Sequence, residues 1–345
     1  MPLTPRGREL MEQLAATVPP VGVEIFDARS ARQFAARVQA PRDLTAPEPI
    51  AAADDATAPV PGEDFRVPLR VYRPVSSAYD QRLPLTVFLH GGGWVFGNLD
   101  GSDALCRRLA HQARTVVVSV RYRRPPEHPY PTALNDARAA LDWALANAPG
   151  MGVDRDHFAL AGESAGGHLA AALALLLRDH GGPKPCFQLL LNPVTDVHQD
   201  TLSWAEYGHG HVLTREYLAW CVDQLLGEGW RDRPLPRYAA PLRAPDLTGL
   251  PRTVVVTAEC DPLRDEGEQY ARRIKHAGGT AAVIPAPGGF HGFFTLWDTL
   301  PVAAEVSERA FAALREGFDD AIRLTRSRDA RAATSAITPA GQSHG

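Results

Sequence analysis

The stretch His157-Phe158-Ala159-Leu160-Ala161-Gly162-Glu163-Ser164-Ala165-Gly166-Gly167 decides the reading of this chain. A short apolar run ends in Gly162-x-Ser164-x-Gly166, and an alanine- and leucine-rich pattern, Leu169 to Arg178, follows. Gly181-Gly182-Pro183 closes it. Strand, sharp turn, helix is the order that presents a serine at the tip of a strained turn. Gly162 and Gly166 keep side-chain bulk away from that tip. The helix that begins there aims its first N–H groups and its positive dipole end at the same point. Gly-x-Ser-x-Gly alone also describes an ordinary glycine-rich turn, so the weight falls on what else reaches it.

On both sides of this stretch short apolar runs with β-branched residues recur. They are Leu83–Leu89, Thr115–Val120, Phe158–Ala161, Phe187–Leu191 and Thr253–Thr257, with a weaker one at Ala281–Pro285. Helical patterns lie between most of them, among them Leu134–Asn147 and Pro262–Ala277. Alternating strands and helices predict an α/β fold with a mostly parallel sheet and helices on both faces. Such sheets bind ligands at the carboxyl ends of their strands. Upstream, Phe65–Tyr72 alternates apolar and polar like a half-exposed edge strand. Pro41–Glu63 reads as irregular connection with room for one short strand. From about Arg8 to Val38 two amphipathic helices are predicted, parted by Pro19-Pro20. Between Asp196 and Leu250 the alternation stops and Trp204, Tyr207, Tyr217, Trp220, Trp230 and Tyr238 gather. One helix is predicted there, Thr214–Leu226, with Thr214 as N-cap and Gly227 as terminator. With the N-terminal helices this insert reads as a lid; the plainer alternative is a helical excursion on the side of the sheet. Val302–Leu324 reads as a long amphipathic helix, and the Ser-, Ala- and Thr-rich chain after Arg326 as a disordered tail.

The chain has 345 residues, 45 % of them hydrophobic, enough for one large domain with an accessory lid. A net charge of −4 points to neither nucleic acid nor an anionic membrane as partner. Cys106, Cys186, Cys221 and Cys260 lie far apart with no C-x-x-C pair, which disfavours metal and redox motifs and fits a reducing compartment. No secretory signal and no membrane-spanning run is read, so the expected location is cytoplasmic, without stable membrane insertion.

Three more pieces fall at the ends of predicted strands. His90-Gly91-Gly92-Gly93-Trp94 follows Leu89. Its glycines let the backbone come close to a carbonyl oxygen, and N–H groups there, with that of Ala165, can hold a developing oxyanion. One such donor is typically worth about 3–4 kcal/mol of barrier. Asp261 follows the run ending at Cys260; it can orient a histidine, or simply cap the next helix. Glu259, Asp265 and Glu266 compete with it, but local hydrogen bonds and a solvated helix face suit them better. His291 sits in Pro287-Gly288-Gly289-Phe290-His291-Gly292-Phe293, where flanking glycines can present an imidazole as general base. His90 reads as a brace for the glycine loop, and His128 and His168 as structural hydrogen-bonders. His198, His209 and His211 lie in the aromatic insert; metal ligation is not the expectation for them.

The order Ser164, Asp261, His291 is that of the α/β-hydrolases. Together with His90-Gly91-Gly92-Gly93-Trp94, Arg121-Tyr122-Arg123-Arg124-Pro125-Pro126-Glu127-His128-Pro129-Tyr130-Pro131, Gly162-Glu163-Ser164-Ala165-Gly166-Gly167, Asp261-Pro262-Leu263-Arg264-Asp265-Glu266 and Phe290-His291-Gly292-Phe293, the sequence resembles the bacterial hormone-sensitive-lipase-like (family IV) carboxylesterases of that fold. The resemblance spans roughly Val71 to Phe318. It implies Ser164, Asp261 and His291 as catalytic triad, and Gly92, Gly93 and Ala165 as oxyanion donors supported by His90, Gly91 and Trp94. It further implies a helical cap and hydrolysis of short- to medium-chain acyl esters, with no metal or organic cofactor. Arg124-Pro125 stands where the family usually has Leu-Ala, and Glu163 replaces the commoner Asp. The expected division is N-terminal cap helices 1–45, hydrolase core 46–195 and 251–325, cap insert 196–250 and tail 326–345. A deacetylase, amidase or lactone hydrolase shares this logic, and a non-catalytic small-molecule receptor exists on the same scaffold. The retained His291 argues against the receptor. A homodimer is compatible with the pattern, though no residue decides it.

Overall fold

Five buried strands carry the centre of the molecule, and their sequences explain why they are central. In β3 (Leu83–Leu89), β4 (Val116–Val120), β6 (Phe187–Leu191) and β7 (Arg252–Cys260), and in β5 (Val153–Glu163) from His157 to Gly162, nearly every side chain is buried. Successive residues point to opposite faces. Val87, Val118, Leu160, Leu190 and Val255 enter one core, while Phe88, Val117, Ala161, Leu189 and Val256 enter the other. A strand apolar on both faces can only sit between two helical layers.

The structure is a computed structural model that describes residues 3–38, 48–75 and 82–337. The remaining elements in chain order are α1 (Pro5–Ala15), α2 (Ala28–Val38), β1 (Ile50–Pro59), β2 (Arg66–Pro74), α3 (Asp103–Ala113), α4 (Thr132–Asn147), α5 (Ala165–Asp179), α6 (Leu202–Tyr207), α7 (Arg215–Leu226), α8 (Arg264–His276), β8 (Ala281–Phe290) and α9 (Pro301–Ile337). The sheet has eight strands in the order β1-β2-β4-β3-β5-β6-β7-β8. From β4 to β8 all neighbours are parallel; β2 joins β4, and β1 joins β2, antiparallel. Helices α4, α5 and α8 cover one face, with α3 and α9 on the other. This is the α/β-hydrolase architecture, as expected.

Three expectations are corrected. Phe65–Tyr72 does not form the edge: β2 is the second strand, and Pro41–Glu63 supplies the edge as the ten-residue β1. Its sequence, Ile-Ala-Ala-Ala-Asp-Asp-Ala-Thr-Ala-Pro, is poor in strand formers. Pairing with β2 over nearly its whole length holds it instead. Helix α3 lies between β3 and β4, where no helix was singled out. After Arg326 the chain does not lose structure: α9 continues to Ile337. Arg, Asp and Ala are compatible with a helix, and no Gly or Pro interrupts the segment before Pro339. Residues 338–345 of the expected tail, and the part of the 41–63 connection up to 47, lie outside the described residues.

The segment between β6 and β7 holds α6 and α7. Thr214 caps α7 by accepting from the Tyr217 N–H at 3.2 Å, and Gly227 ends it at φ 82°, both as predicted. The N-terminal segment packs on α7: the Trp220 indole N–H donates to the Phe26 carbonyl at 3.0 Å. Arg32 of α2 reaches the Val95 and Pro125 carbonyls and pairs with Glu127 through its two terminal guanidinium nitrogens. No helix among the described residues is long and apolar enough to cross a membrane.

Candidate active site

β5 ends at Glu163 and α5 begins at Ala165, so Ser164 makes the turn by itself. Its backbone sits at φ 54°, ψ −117°, a region that costs a non-glycine residue about 1–3 kcal/mol. Neighbours hold it there. The Ser164 N–H donates to Leu191 O at 2.8 Å, and Ser164 O accepts from Val194 N–H at 3.1 Å. The two glycines are required by close backbone crossing: a Cβ on Gly162 would strike the Gly166 carbonyl, and one on Gly166 would strike the Leu89 carbonyl.

β7 and β8 deliver the other two members. Asp261 directly follows β7, fully buried, and His291 directly follows β8. The His291 Nδ1–H donates to Asp261 Oδ2 at 2.9 Å, and Nε2 lies 3.1 Å from Ser164 Oγ. With Nδ1 protonated, Nε2 is the free lone pair that faces the hydroxyl. Burial alone would lower the imidazole pKa, but the charge and hydrogen bond of Asp261, helped by Glu163, outweigh it and raise it above the ordinary 6.5. Asp261 is itself fixed on both oxygens. Oδ1 accepts from the Leu263 N–H at 2.9 Å, and Oδ2 from the Asn192 side-chain amide at 2.8 Å.

The glycine loop after β3 completes the arrangement. Gly92 and Gly93 have φ 110° and 55°, and the Phe96 N–H closes the turn on Gly92 O at 2.8 Å. Gly91 lies against the nucleophile turn: a Cβ there would stand 3.2 Å from Glu163 O and 3.5 Å from Ser164 Cβ. His90 braces the loop. Its Nδ1–H donates to Gly91 O at 2.9 Å, its ring stacks on Tyr122, and the Tyr122 hydroxyl donates to His90 O at 2.8 Å. The Trp94 indole N–H donates to His168 Nδ1 at 3.1 Å, and His168 Nε2–H reaches Ala239 O at 3.1 Å. Burial lowers both His90 and His168 to about 4, which keeps them neutral braces.

All nine residues singled out from the sequence therefore gather at one end of the sheet. His198, His209 and His128 lie elsewhere. His198 pairs with Asp196, His209 lies 3.5 Å from Glu216, and His128 is exposed. Among the competing carboxylates, Glu259 accepts from Gly288 N–H and Asp265 from Ser203 N–H, bonds that cross between elements where local ones were expected. Glu266 overturns the expectation of a solvated face. It is fully buried and accepts from Thr195 N–H (2.7 Å), Asp196 N–H (3.1 Å) and the Trp204 indole (3.1 Å), tying α8 to the start of the insert. Burial pushes its carboxyl up to about 8 against the pull of these three donors.

Three contacts at the site escaped the sequence reading. Asn192 stands between Leu191 and Pro193 at the end of β6; its place at a strand end was the available signal. Tyr217 and Cys221, one turn apart on α7, lie directly on Gly93. Nothing local marks them, because the contact joins residues more than a hundred positions apart.

A strained serine at a strand-to-helix turn, backed by a histidine–carboxylate pair and faced by a glycine loop, defines the hydrolases of this fold. The family profile described as alpha/beta hydrolase fold matches residues 86–295, and the chain belongs to that family. Within it the chain is a hormone-sensitive-lipase-like carboxylesterase. It is 41 % identical over 256 residues to carboxylesterase NlhH of Mycobacterium tuberculosis, covering 73 % of this chain and 79 % of that one. It is 35 % identical over 242 residues to the ethyl acetate hydrolase of Pseudomonas putida, covering 69 % and 75 %. The solved hyperthermophilic esterase from the archaeon Pyrobaculum calidifontis superimposes with a TM-score of 0.82 at 37 % identity, over 92 % of this chain and 99 % of that one. The protein is a carboxylic ester hydrolase.

Proposed function

We propose that ester hydrolysis runs through an acyl-enzyme on Ser164. The Ser164 hydroxyl attacks the ester carbonyl carbon as His291 Nε2 takes its proton. Asp261 keeps the proton of Nδ1 in place and stabilises the imidazolium that forms. Negative charge moves onto the carbonyl oxygen, where the N–H groups of Gly92, Gly93 and Ala165 receive it. His291 then returns the proton to the departing alkoxide. Water enters and attacks the acyl carbon as it gives a proton to Nε2; the bond to Ser164 Oγ then breaks, the departing oxygen takes that proton back, and the acid is released. No step draws on a metal or an organic cofactor. The observation that carries the reading is the single row Ser164 Oγ–His291 Nε2, His291 Nδ1–Asp261 Oδ2 at 3.1 and 2.9 Å.

The substrate class is short- to medium-chain acyl esters. Phe96, Tyr217 and Trp220 form an apolar aromatic group beside the glycine loop, which suits a small apolar acyl or alcohol part. The ethyl acetate hydrolase among the relatives fits the same size range. The four free cysteines fit a cytoplasmic location, and β8, which among the described residues pairs only with β7, offers an edge for a homodimer. The test is a series of p-nitrophenyl esters from acetate to palmitate, with Ser164→Ala as control. The kcat/KM should peak among the short and medium acyl groups and collapse at the long ones. Turnover in Ser164→Ala should fall to within about 10³–10⁴-fold of the reaction in water. A peak at palmitate would remove the substrate class, and full activity in Ser164→Ala the mechanism.

A further inference from the structure

Two successive residues at the end of β6 hold the two ends of the catalytic row. Leu191 O accepts the Ser164 N–H at 2.8 Å, and the Asn192 side chain reaches Asp261 Oδ2 at 2.8 Å. Asn192 is 3 % exposed, and its own N–H donates to Val256 O at 2.9 Å on β7. Its amide orientation is forced. With the amide reversed, Oδ1 would confront a carboxylate oxygen, two acceptors in contact. So Nδ2 faces Asp261, and Oδ1 is left buried without a hydrogen-bond partner among the described residues. Asn192 also has φ 44°, in the left-handed region that Asn tolerates better than most residues. An orphaned buried acceptor and left-handed backbone are both unfavourable. A side chain that only fills space incurs neither of these. What offsets them is the contact with Asp261.

We infer that Asn192 is a positioning residue for the triad acid: its amide fixes the rotamer of Asp261 so that Oδ2 faces His291 Nδ1. This rests on the triad assignment made above. Asp261 Oδ2 is shared by Asn192 and His291, while Oδ1 is pinned by Leu263 N–H. The carboxyl plane therefore has one orientation, and the imidazole inherits it. Asn192 also draws on the charge of Oδ2, so less of it acts on His291. The charged groups acting on His291 are Asp261 after β7 and Glu163 at the end of β5. Along the segment of Asp261, the Cys260 thiol is raised by burial, Arg264 pairs with Asp265, and Glu266 is engaged by the Thr195 and Asp196 N–H groups.

Two variants test this on a short-chain p-nitrophenyl ester across the pH range. Asn192→Gly keeps the left-handed backbone and removes the donor. It should lower kcat about ten- to a hundredfold with KM nearly unchanged. Its acid limb should move to higher pH, because the full charge of Asp261 then acts on His291. Asn192→Asp is isosteric and puts a carboxyl beside a carboxylate, a pair that shares one proton. While that proton is held and His291 is neutral, its O–H replaces the lost amide, so activity persists just above the His291 acid limb. As pH rises and the proton leaves, activity falls, giving an alkaline limb absent from the wild type. A purely structural role changes the melting temperature and creates no such limb. Wild-type kcat and pH profile in a folded Asn192→Gly, or an Asn192→Asp profile that overlays the wild type, would overturn the inference. If Asn192→Gly does not fold, Asn192→Asp decides alone. Wild-type protein that fails to react at Ser164 with an organophosphorus ester would instead refute the triad reading on which the inference stands.

Discussion

Replacing Gly93 by Ala probes the contact between the cap and the glycine loop. Gly93 is at φ 55°, where a Cβ costs about 1–2 kcal/mol. That Cβ would also stand 2.5 Å from Cys221 Sγ and 3.2 Å from Cys221 Cβ on α7. Ordinary contact between such atoms is about 3.5–4.0 Å, so the loop or the helix must shift by about 1 Å. A shift of that size takes the Gly93 N–H out of line with a developing oxyanion. Loss of one such donor costs about 2.7–4 kcal/mol, or 10²–10³ in kcat. Stopped-flow hydrolysis of p-nitrophenyl butyrate should show that loss in kcat with little change in KM. The double variant Gly93→Ala, Cys221→Ala removes the sulfur but keeps the Cβ contact and the backbone cost. It should recover part of kcat and stop about tenfold short of the wild type. Gly93→Ala within threefold of the wild type would refute the oxyanion assignment of this loop. A double variant no better than the single one would refute the steric cause.

Other consequences follow from the same geometry. The acid limb of kcat/KM should lie above 6.5, because Asp261 and Glu163 overcome burial at His291 and activity needs the neutral ring. In Asp261→Asn burial acts with less opposition, so the limb should move to lower pH while kcat falls about 10⁴-fold. Glu266→Gln turns an amide N–H₂ toward the Trp204 N–H, and chemical denaturation should show a loss of about 1–3 kcal/mol. The folded state holds the Glu266 proton up to about 8 against the ordinary 4.5. That contribution is complete below 4.5 and is lost as pH rises through 8, so the wild type's advantage over Glu266→Gln should shrink across that window. Gly166→Ala drives a Cβ into the Leu89 and His90 carbonyls, backbone that cannot yield. It should destabilise by about 4 kcal/mol or more and leave little soluble protein.

The parts of this molecule legible in its sequence are those whose signals are local. Ser164, Asp261 and His291 each directly follow a strand whose apolar run is visible, and the glycines beside Ser164 mark a turn that no other residue fits. Thr214 and Gly227 announce the ends of α7 in the same way. β1 showed only as a possible short strand because its Ala- and Asp-rich chain is held as a strand through its pairing with β2. Glu266 looked solvated because Arg264-Asp265-Glu266 reads as a charged first turn, whereas the insert folds back over it and supplies three N–H donors. Asn192, Tyr217 and Cys221 act across the fold on residues 69, 124 and 128 positions away, at Asp261 and Gly93. No periodicity records such a meeting.

The central claim is tested most directly by intact-protein and peptide mass spectrometry after reaction with an organophosphorus ester. One adduct per chain, on Ser164, formed in step with loss of activity and absent from Ser164→Ala, is the predicted result. Inactivation with Ser164 unmodified, or undiminished turnover by Ser164→Ala, would contradict the account.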